Sequence, residues 1–221
     1  MGLVLGTNCG FVETAPVTDP NDSTGTALDG YQYGLRDDTP SGTNLVVTEI
    51  GIWLENESNE PETEFDVGIY TDNSGTPDDL LDGESRNNTK PDSFSTGWMV
   101  VDGLNISVSA STTYYIGLQM DAISTDDQKT NYNHEANNES RLLVPPNTAL
   151  QETWSGTTYD DRRIAFYALV EEAPATGTNQ FINIGDDFKQ ISELYINIGD
   201  SWKAISEMFI NIGDAWKPAV T

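Results

Sequence analysis

The chain has 221 residues, which is enough for one β domain of ordinary size and a small additional unit. It carries 36 acidic against 10 basic residues, a formal net charge of −26. Such a surface repels the phosphates of nucleic acids and of anionic membranes, and no stretch approaches the roughly 18 apolar residues of a membrane-spanning helix. The composition therefore argues against nucleic-acid binding and against membrane insertion.

Two explanations fit the acidity. In a high-salt habitat, screening removes the repulsion between the acidic groups. Alternatively, loops rich in Asp bind divalent cations. The single cysteine, Cys9, excludes an intrachain disulfide, and the single histidine, His134, is expected in a loop. No nucleophile elbow, Cys/His metal spacing, phosphate loop or dinucleotide fingerprint occurs, so the sequence predicts a protein that is not an enzyme.

Residues 1–24 have the polar, proline-containing composition of a loop. Beyond them, short stretches alternate between apolar and polar residues at period two, which is typical of half-buried strands. These stretches are Leu45–Leu54, Phe65–Tyr70, Trp98–Val101, Leu104–Val108, Tyr114–Met120 and Ile164–Val170. With the Gly-, Asp- and Asn-rich turns between them, they predict an all-β, antiparallel, jelly-roll-like β-sandwich. The polar segment 121–138 is expected to be a long surface loop.

Aromatic residues lie on the side of these predicted strands opposite the main aliphatic stripe. They are Trp53, Tyr70, Tyr115 and Tyr167. An exposed aromatic face can stack on sugar rings. It can also form a subunit interface, where Tyr and Trp are enriched. A third alternative is that these residues lie under a loop as a second small core, and the sequence leaves all three open.

The loop 70–79 is dense in oxygen ligands, which include those of Asp72, Asn73, Asp78 and Asp79. Calcium takes about six to eight such oxygens. A turn between two strands needs the same Asn, Gly and Pro residues, and the spacing is not that of an EF-hand. We therefore predict a turn here, with calcium as the one cofactor that the sequence suggests.

The C-terminal segment 181–221 consists of three similar units, in which equivalent residues are 14 positions apart. The units read FINIGDDFKQISEL, YINIGDSWKAISEM and FINIGDAWKPAV. In each unit Gly-Asp separates two short β-forming runs, which predicts a β-hairpin. A short self-similar repeat of this kind is a stacking or assembly device. The predicted organisation is thus a sandwich at 1–172, a linker at 173–180 and three hairpin repeats at 181–221.

The repeats have large apolar residues on both faces of each predicted hairpin. Three units would form a meander of about six short strands, and so small a β structure needs a partner. The predicted anchors are the aromatic position after Gly-Asp and the isoleucine before it: Phe188, Trp202, Trp216, Ile184, Ile198 and Ile212. Bundling of several tails, most simply as a trimer, is favoured over packing of the tail on its own sandwich.

Two stretches resemble known families. The repeats are similar to the short N-x-G-x-x-W-K units that end many structural proteins of tailed viruses, notably tail and fibre proteins. The matching residues are Asn197, Gly199, Trp202 and Lys203, and Asn211, Gly213, Trp216 and Lys217. The first unit departs from this pattern, with Phe188 in place of Trp.

The region from Val46 to Gln119, with VGIYTDNSGTPDDLL and TTYYIGLQ, resembles a β-sandwich module of secreted and virus-borne surface proteins. The acidity is similar to that of proteins from halophilic archaea and their viruses. These resemblances imply a structural protein on a virion surface, in a tail, fibre or capsid, with its own copies and other virion proteins as partners. The alternative is a carbohydrate-binding adhesion module, extracellular or on a cell surface, that binds host glycans through Trp53, Tyr70 and Tyr115.

Overall fold

The computed structural model divides the chain into two compact units, Met1–Glu172 (the sandwich unit) and Ala173–Thr221 (the tail unit). It describes residues 2–20, 24–28, 32–54, 63–90, 96–120, 129–134, 140–143, 149–155, 158–160, 162–173, 180–184, 187–191, 195–198, 201–204, 209–212 and 215–218. All the regular secondary structure in these ranges is β-strand.

The described part of the sandwich unit contains fourteen strands. They are β1 Gly10–Val12, β2 Thr24–Ala27, β3 Gln32–Asp38, β4 Leu45–Leu54, β5 Thr63–Asp72, β6 Pro77–Leu80, β7 Ser85–Lys90, β8 Gly97–Val108, β9 Thr113–Met120, β10 Lys129–His134, β11 Ser140–Leu143, β12 Thr158–Asp160, β13 Arg162–Ile164 and β14 Phe166–Glu172. Strands of this number and length, without intervening helix in the described residues, are typical of a sandwich.

These strands form three sheets. The four-stranded sheet has the order β1-β14-β4-β8. The seven-stranded sheet has the order β12-β11-β3-β9-β5-β6, and β7 also pairs with β5. The remaining strands form a three-stranded sheet, β13-β10-β2. β1 pairs with β14 in parallel, whereas the main ladders of both larger sheets, such as β4 with β8 and β5 with β9, are antiparallel.

One hydrophobic core joins the four-stranded and seven-stranded sheets. It takes its buried residues from β4 and β14 on one side and from β5 and β9 on the other. They include Ile50, Ile52, Phe166, Ala168, Val67, Ile69, Ile116 and Leu118. Inner faces of two sheets that share one core define a β-sandwich, so the predicted all-β sandwich is confirmed.

The strand Leu45–Leu54 is confirmed, but its predicted alternation fails at Thr48. Strict alternation along Leu45–Leu54 would put Val46 on the same side as Ile50, whereas Val47 is the fully buried residue and Val46 is only half-buried. The ladder between β4 and β8 shifts between Val47 and Glu49. An extra residue at such a β-bulge reverses which side chains face the core.

The two short strands predicted on either side of Asp102-Gly103 are one strand, β8. Gly103 has φ of 71°, in the left-handed region that glycine adopts without strain. The irregularity lies opposite the Thr48 bulge, since Val47 pairs with Ile106 and Glu49 pairs with Asp102. The turn-forming residues therefore interrupt the ladder without ending the strand.

Two segments that were predicted as loops contain strands. Within residues 1–24, β1 pairs with β14, and Phe11 N donates to Asp37 Oδ2 at 2.9 Å. Within 121–138 lies β10, whose last residue His134 pairs in register with Arg162. The loop prediction for His134 is therefore wrong. β10 has the sequence KTNYNH, so it lacked the apolar alternation on which the predicted strands were based.

The tail unit contains three β-hairpins. They are β15 Gln180–Ile184 with β16 Asp187–Ile191, β17 Tyr195–Ile198 with β18 Ser201–Ala204, and β19 Phe209–Ile212 with β20 Ala215–Pro218. The hairpin repeats are confirmed. The continuous meander is not, because the described strands of the tail form three separate two-stranded sheets.

Candidate functional site

The predicted aromatic platform is buried within the sandwich unit. Trp53 is 6% exposed, Tyr167 is 1% exposed, and Tyr70 and Tyr115 are 0% exposed. An open face of these four residues for sugar stacking or for a subunit interface is therefore wrong. The alternation placed them opposite the aliphatic stripe, but it did not show that other segments of the same chain cover them.

A row of glycines in the seven-stranded sheet makes room for the rings of Tyr70 and Trp154. Gly34, Gly117 and Gly68 are neighbours on the adjacent strands β3, β9 and β5. A glycine inside a strand often marks the close approach of another group. A Cβ added at Gly117 would lie 2.6 Å from Cε2 of Tyr70, and one at Gly34 would lie 3.3 Å from Cη2 of Trp154. The glycines thus form a trough, which is filled by aromatic rings at Gly117 and Gly34 and by Leu80 and Leu150 at Gly68.

Residues 149–155, here named the strap, cover this trough. Leu150 and Trp154 of the strap form a second hydrophobic cluster with Tyr70 and Tyr115. The Tyr70 and Trp154 rings meet edge to face, with centroids 5.1 Å apart and planes at 88°. A second small core under a loop, the third alternative from the sequence, describes Tyr70 and Tyr115. Sequence reasoning missed Leu150 and Trp154, because the strap has no periodic pattern.

Hydrogen bonds fix the strap backbone to the seven-stranded sheet. They are Leu150 N to Asp66 Oδ2 (3.0 Å), Gln151 N to Gln32 Oε1 (3.3 Å), Tyr70 Oη to Gln151 O (2.6 Å), Leu80 N to Glu152 O (2.8 Å) and Trp154 N to Asp78 O (2.8 Å). Gln32 Nε2 also donates to the Tyr70 hydroxyl at 2.7 Å. Because buried backbone groups are costly to leave unpaired, these bonds let the strap lie on an apolar surface.

Arg86 holds the strap from the side. Its Nη1 donates to Leu150 O at 2.8 Å, and its Nη2 donates to Glu152 Oε1 at 2.6 Å. Its Nε donates to Glu84 Oε1 at 3.1 Å, and buried Asp66 lies 3.8 Å from Nη1. Burial lowers the pKa of Arg86, but Glu84, Glu152 and Asp66 together raise that pKa above its ordinary value. The guanidinium therefore remains charged at every pH of interest.

Trp53 and Tyr167 belong to a separate aromatic cluster on the four-stranded sheet. Trp98 lies between them, with ring centroids 5.5 Å from Trp53 and 5.0 Å from Tyr167, both edge to face. Trp98 Nε1 donates to Thr18 O at 3.1 Å, which ties the N-terminal segment to this cluster. The Tyr167 ring occupies the space above Gly51, its cross-strand partner on β4, so this glycine also makes room for a ring.

Two tyrosine hydroxyls are held in their neutral form. Burial raises the pKa of Tyr70 far above its usual range, although the hydrogen bond from Gln32 acts in the opposite direction. Burial also raises the pKa of Tyr167, and the hydrogen bond that its hydroxyl donates to Glu49 adds to the effect. Both groups therefore stay protonated in the folded protein at alkaline pH.

We expect the free energy of unfolding to fall by about 3 kcal/mol between about pH 9 and pH 11, because the two hydroxyls ionise only after unfolding. In the unfolded chain a tyrosine ionises near about pH 10. The stabilisation is fully present below that pH and is lost as the pH rises, by about 1.4 kcal/mol per unit for each tyrosine. Urea unfolding at fixed salt measures the slope. Tyr167→Phe removes one of the two hydroxyls, and its acceptor Glu49 is half-buried, so the change should halve the slope. An unchanged slope would contradict this account.

The candidate calcium loop is the turn between β5 and β6. Asp72 accepts the backbone N–H of Gly75 at 3.0 Å and Nε of Arg36 at 3.3 Å. Asn73 Nδ2 donates to Asp78 Oδ2 at 3.4 Å, and Asp79 Oδ1 accepts from Thr153 of the strap at 3.0 Å. These contacts account for the four residues as turn and strap partners. Within the described ranges, no group of three or more His, Cys, Asp or Glu residues is placed to hold a metal ion.

The tail hairpins place the predicted anchors at equivalent positions of the backbone ladder. Phe188, Trp202 and Trp216 are the cross-strand partners of Asn183, Asn197 and Asn211. Ile184, Ile198 and Ile212 pair instead with Asp187, Ser201 and Ala215. The Asn and Trp of the N-x-G-x-x-W-K pattern are thus directly opposite each other in the second and third hairpins. Their assembly role stays a prediction.

No protein-family model and no curated protein matches the chain. Among solved structures, the chain is similar to the cysteine protease and lectin-like domains of Cwp84, a surface layer associated protein of Clostridium difficile. The two are 12% identical, with a TM-score of 0.43, and the match covers 65% of this chain and 32% of that chain. The chain therefore spans about a third of that solved structure. The described residues contain no helix of the length and apolar character that a membrane crossing requires.

Proposed function

We propose that this chain is a non-enzymatic structural protein of a virus particle, exposed on a tail, fibre or capsid, and that its tail unit joins copies or docks them on the particle. The observation that carries the proposal is the pairing of the tail strands. Each repeat forms a two-stranded sheet of its own. An isolated two-stranded hairpin is at best marginally stable in water, so three of them in one unit favour a role in which a partner completes their pairing.

The distribution of charge supports the tail as the contact surface. The repeat segment 181–221 contains six acidic side chains and three lysines, net −3. The segment 1–180 contains 30 acidic and seven basic side chains, net −23. Contact between two sandwich units would bring net charges of −23 together, whereas contact between two tails brings together net charges of only −3.

The resemblance of the repeats supplies the virion part of the proposal. Short Trp-Lys repeats occur at the ends of tail and fibre proteins, and the two matching units here keep Asn and Trp as cross-strand partners. The sandwich unit, which has its own core, then faces outward on the particle.

The absolute mass in solution tests the assembly. Light scattering in high salt is applied to the full chain and to a variant that ends at Glu172, the last residue of the sandwich unit. We expect an oligomer, most simply a trimer, that becomes a monomer on truncation. A monomer in both cases would contradict assembly through the tail. Binding of the sandwich unit to a glycan array would favour an adhesion module instead of a structural protein.

The sandwich unit is also expected to lose stability at low salt, because its net charge of −23 is then poorly screened. Between about 2 M and about 0.05 M sodium chloride we expect a loss of about 2 kcal/mol, or about 5 °C in melting temperature for a domain of this size. Scanning calorimetry of the variant ending at Glu172 measures it. Sucrose, which is excluded from protein surfaces but does not screen charge, should not replace the salt. A melting temperature indifferent to salt would remove the high-salt explanation of the acidity.

A further inference from the structure

We propose that the tail units of several copies pair with one another in parallel and in register, so that each hairpin meets the same hairpin of its neighbours. This inference rests on the proposed assembly role of the tail. It adds the partner, which is another copy of this chain, and the relative direction and alignment of the copies.

The open edges of the hairpins supply the contact. In an antiparallel pair, half of the backbone N–H and C=O groups of each strand point away from the partner strand. Across the described strands of the tail, each hairpin pairs only within itself, so these groups form edges that template another strand. The three hairpins recur at a constant interval along the chain, as Gly185, Gly199 and Gly213 show. The surface that matches three edges at this spacing is a second tail with the same spacing.

Alignment follows from the number of repeats that find a partner. Two tails in register pair all three hairpins. A slip by one repeat unit pairs two hairpins and leaves one unpaired at each end, which forfeits a third of the contact. An antiparallel arrangement also pairs all three hairpins, but it places the first hairpin of one copy against the third hairpin of the other.

Pro218 favours the parallel direction. It lies in β20 opposite Phe209, at the position that Gln190 and Ala204 occupy in the other hairpins. Proline lacks an N–H and is confined to edges and ends of sheets. In a parallel, in-register bundle the prolines of all copies lie together at the third hairpin, so the first and second hairpins pair without any proline. In an antiparallel pair it would oppose the first hairpin of the partner.

Excimer fluorescence of pyrene tests the alignment on the full chain. Single cysteines are introduced at the first residue of the second strand of each hairpin, as Asp187→Cys, Ser201→Cys and Ala215→Cys. The native Cys9 is buried and is expected to take up little label. Labelling of the wild-type protein is the control that measures how much. Ser41→Cys, at an exposed position of the sandwich unit, gives the level of non-specific contact. Each variant is labelled, and pairs are also mixed, unfolded and refolded together.

Parallel pairing in register predicts an excimer signal several-fold above that of Ser41→Cys for each of the three tail variants alone. An antiparallel pair would give it for Ser201→Cys alone and for the mixture of Asp187→Cys with Ala215→Cys, and would overturn the inference. Signal only in mixtures of adjacent units would indicate a slip and would also overturn it. An oligomer by light scattering without any excimer would reject this geometry but not assembly, whereas a monomer would remove both.

Discussion

The double variant Trp202→Ala/Trp216→Ala is expected to be a monomer at concentrations at which the wild-type chain is an oligomer. The two tryptophans occupy equivalent positions of the second and third hairpins, opposite Asn197 and Asn211. Tryptophans at the centre of an interface typically contribute at least about 2 kcal/mol each when truncated to alanine. About 4 kcal/mol for the two corresponds to association about 1000-fold weaker. Light scattering over a dilution series in high salt measures this change.

A matched control separates loss of a specific contact from loss of apolar surface. Val4 and Val17 are 46% and 89% exposed, and Val4→Ala/Val17→Ala removes exposed apolar side chains of the sandwich unit. We expect this control to keep the wild-type mass. Both double variants should keep the melting transition of the sandwich unit, since the core lies in Met1–Glu172. Elution of the tryptophan variant as a wild-type oligomer would mean that these residues do not form the interface.

Local patterns predicted those elements whose residues alternate or repeat. Leu45–Leu54 and Tyr114–Met120 have β-branched and aromatic residues at period two, and both are strands. The hairpins follow from Gly-Asp between β-forming runs, which is also a local signal. The bulge at Thr48 has no such signal, because the extra residue is defined by the register with β8 and not by its own type.

The burial of the aromatic residues depends on contacts that are distant in sequence. Gly34, Gly68 and Gly117 become neighbours only because β3, β9 and β5 are adjacent in the sheet. A glycine in the middle of each of these strands was a signal of close approach. It did not identify the strap as the covering segment, since the strap follows β10 and β11 in the chain and reaches the trough only through the fold.

The ion pairs of Arg86 and Arg36 show how two of the few basic residues of the sandwich unit are used. Arg86 contacts three carboxylates and a strap carbonyl, and Arg36 contacts Asp72 at the β5–β6 turn. Each arginine compensates local acidic charge at a place where chain segments distant in sequence meet. Ion pairs leave the net charge of −23 unchanged, so the salt concentration is expected to govern the stability of this unit.

Removal of the Trp154 side chain is expected to produce a large loss of stability in the sandwich unit. Trp154 is 6% exposed, lies over Gly34 and packs edge to face against Tyr70. Truncation of a buried tryptophan to alanine costs about 3–5 kcal/mol, and the glycine trough beneath has no side chain that could fill the space. In urea unfolding, Trp154→Ala should lose this amount, which corresponds to about 10 °C in melting temperature.

Two variants of the same segment make this expectation specific. Trp154→Phe keeps a ring over the trough and removes an indole N–H that has no hydrogen-bond partner in the described structure, so its loss should be clearly smaller. Ser155→Ala changes the exposed neighbour, whose hydroxyl donates to Oε1 of Gln151 at 3.0 Å, and should stay within about 0.5 kcal/mol of the wild type. If Trp154→Ala unfolds at the wild-type urea concentration, the strap is not part of the folded core. Tyr70 and Tyr115 would then be accessible, and the sugar-stacking hypothesis for this face would be open again.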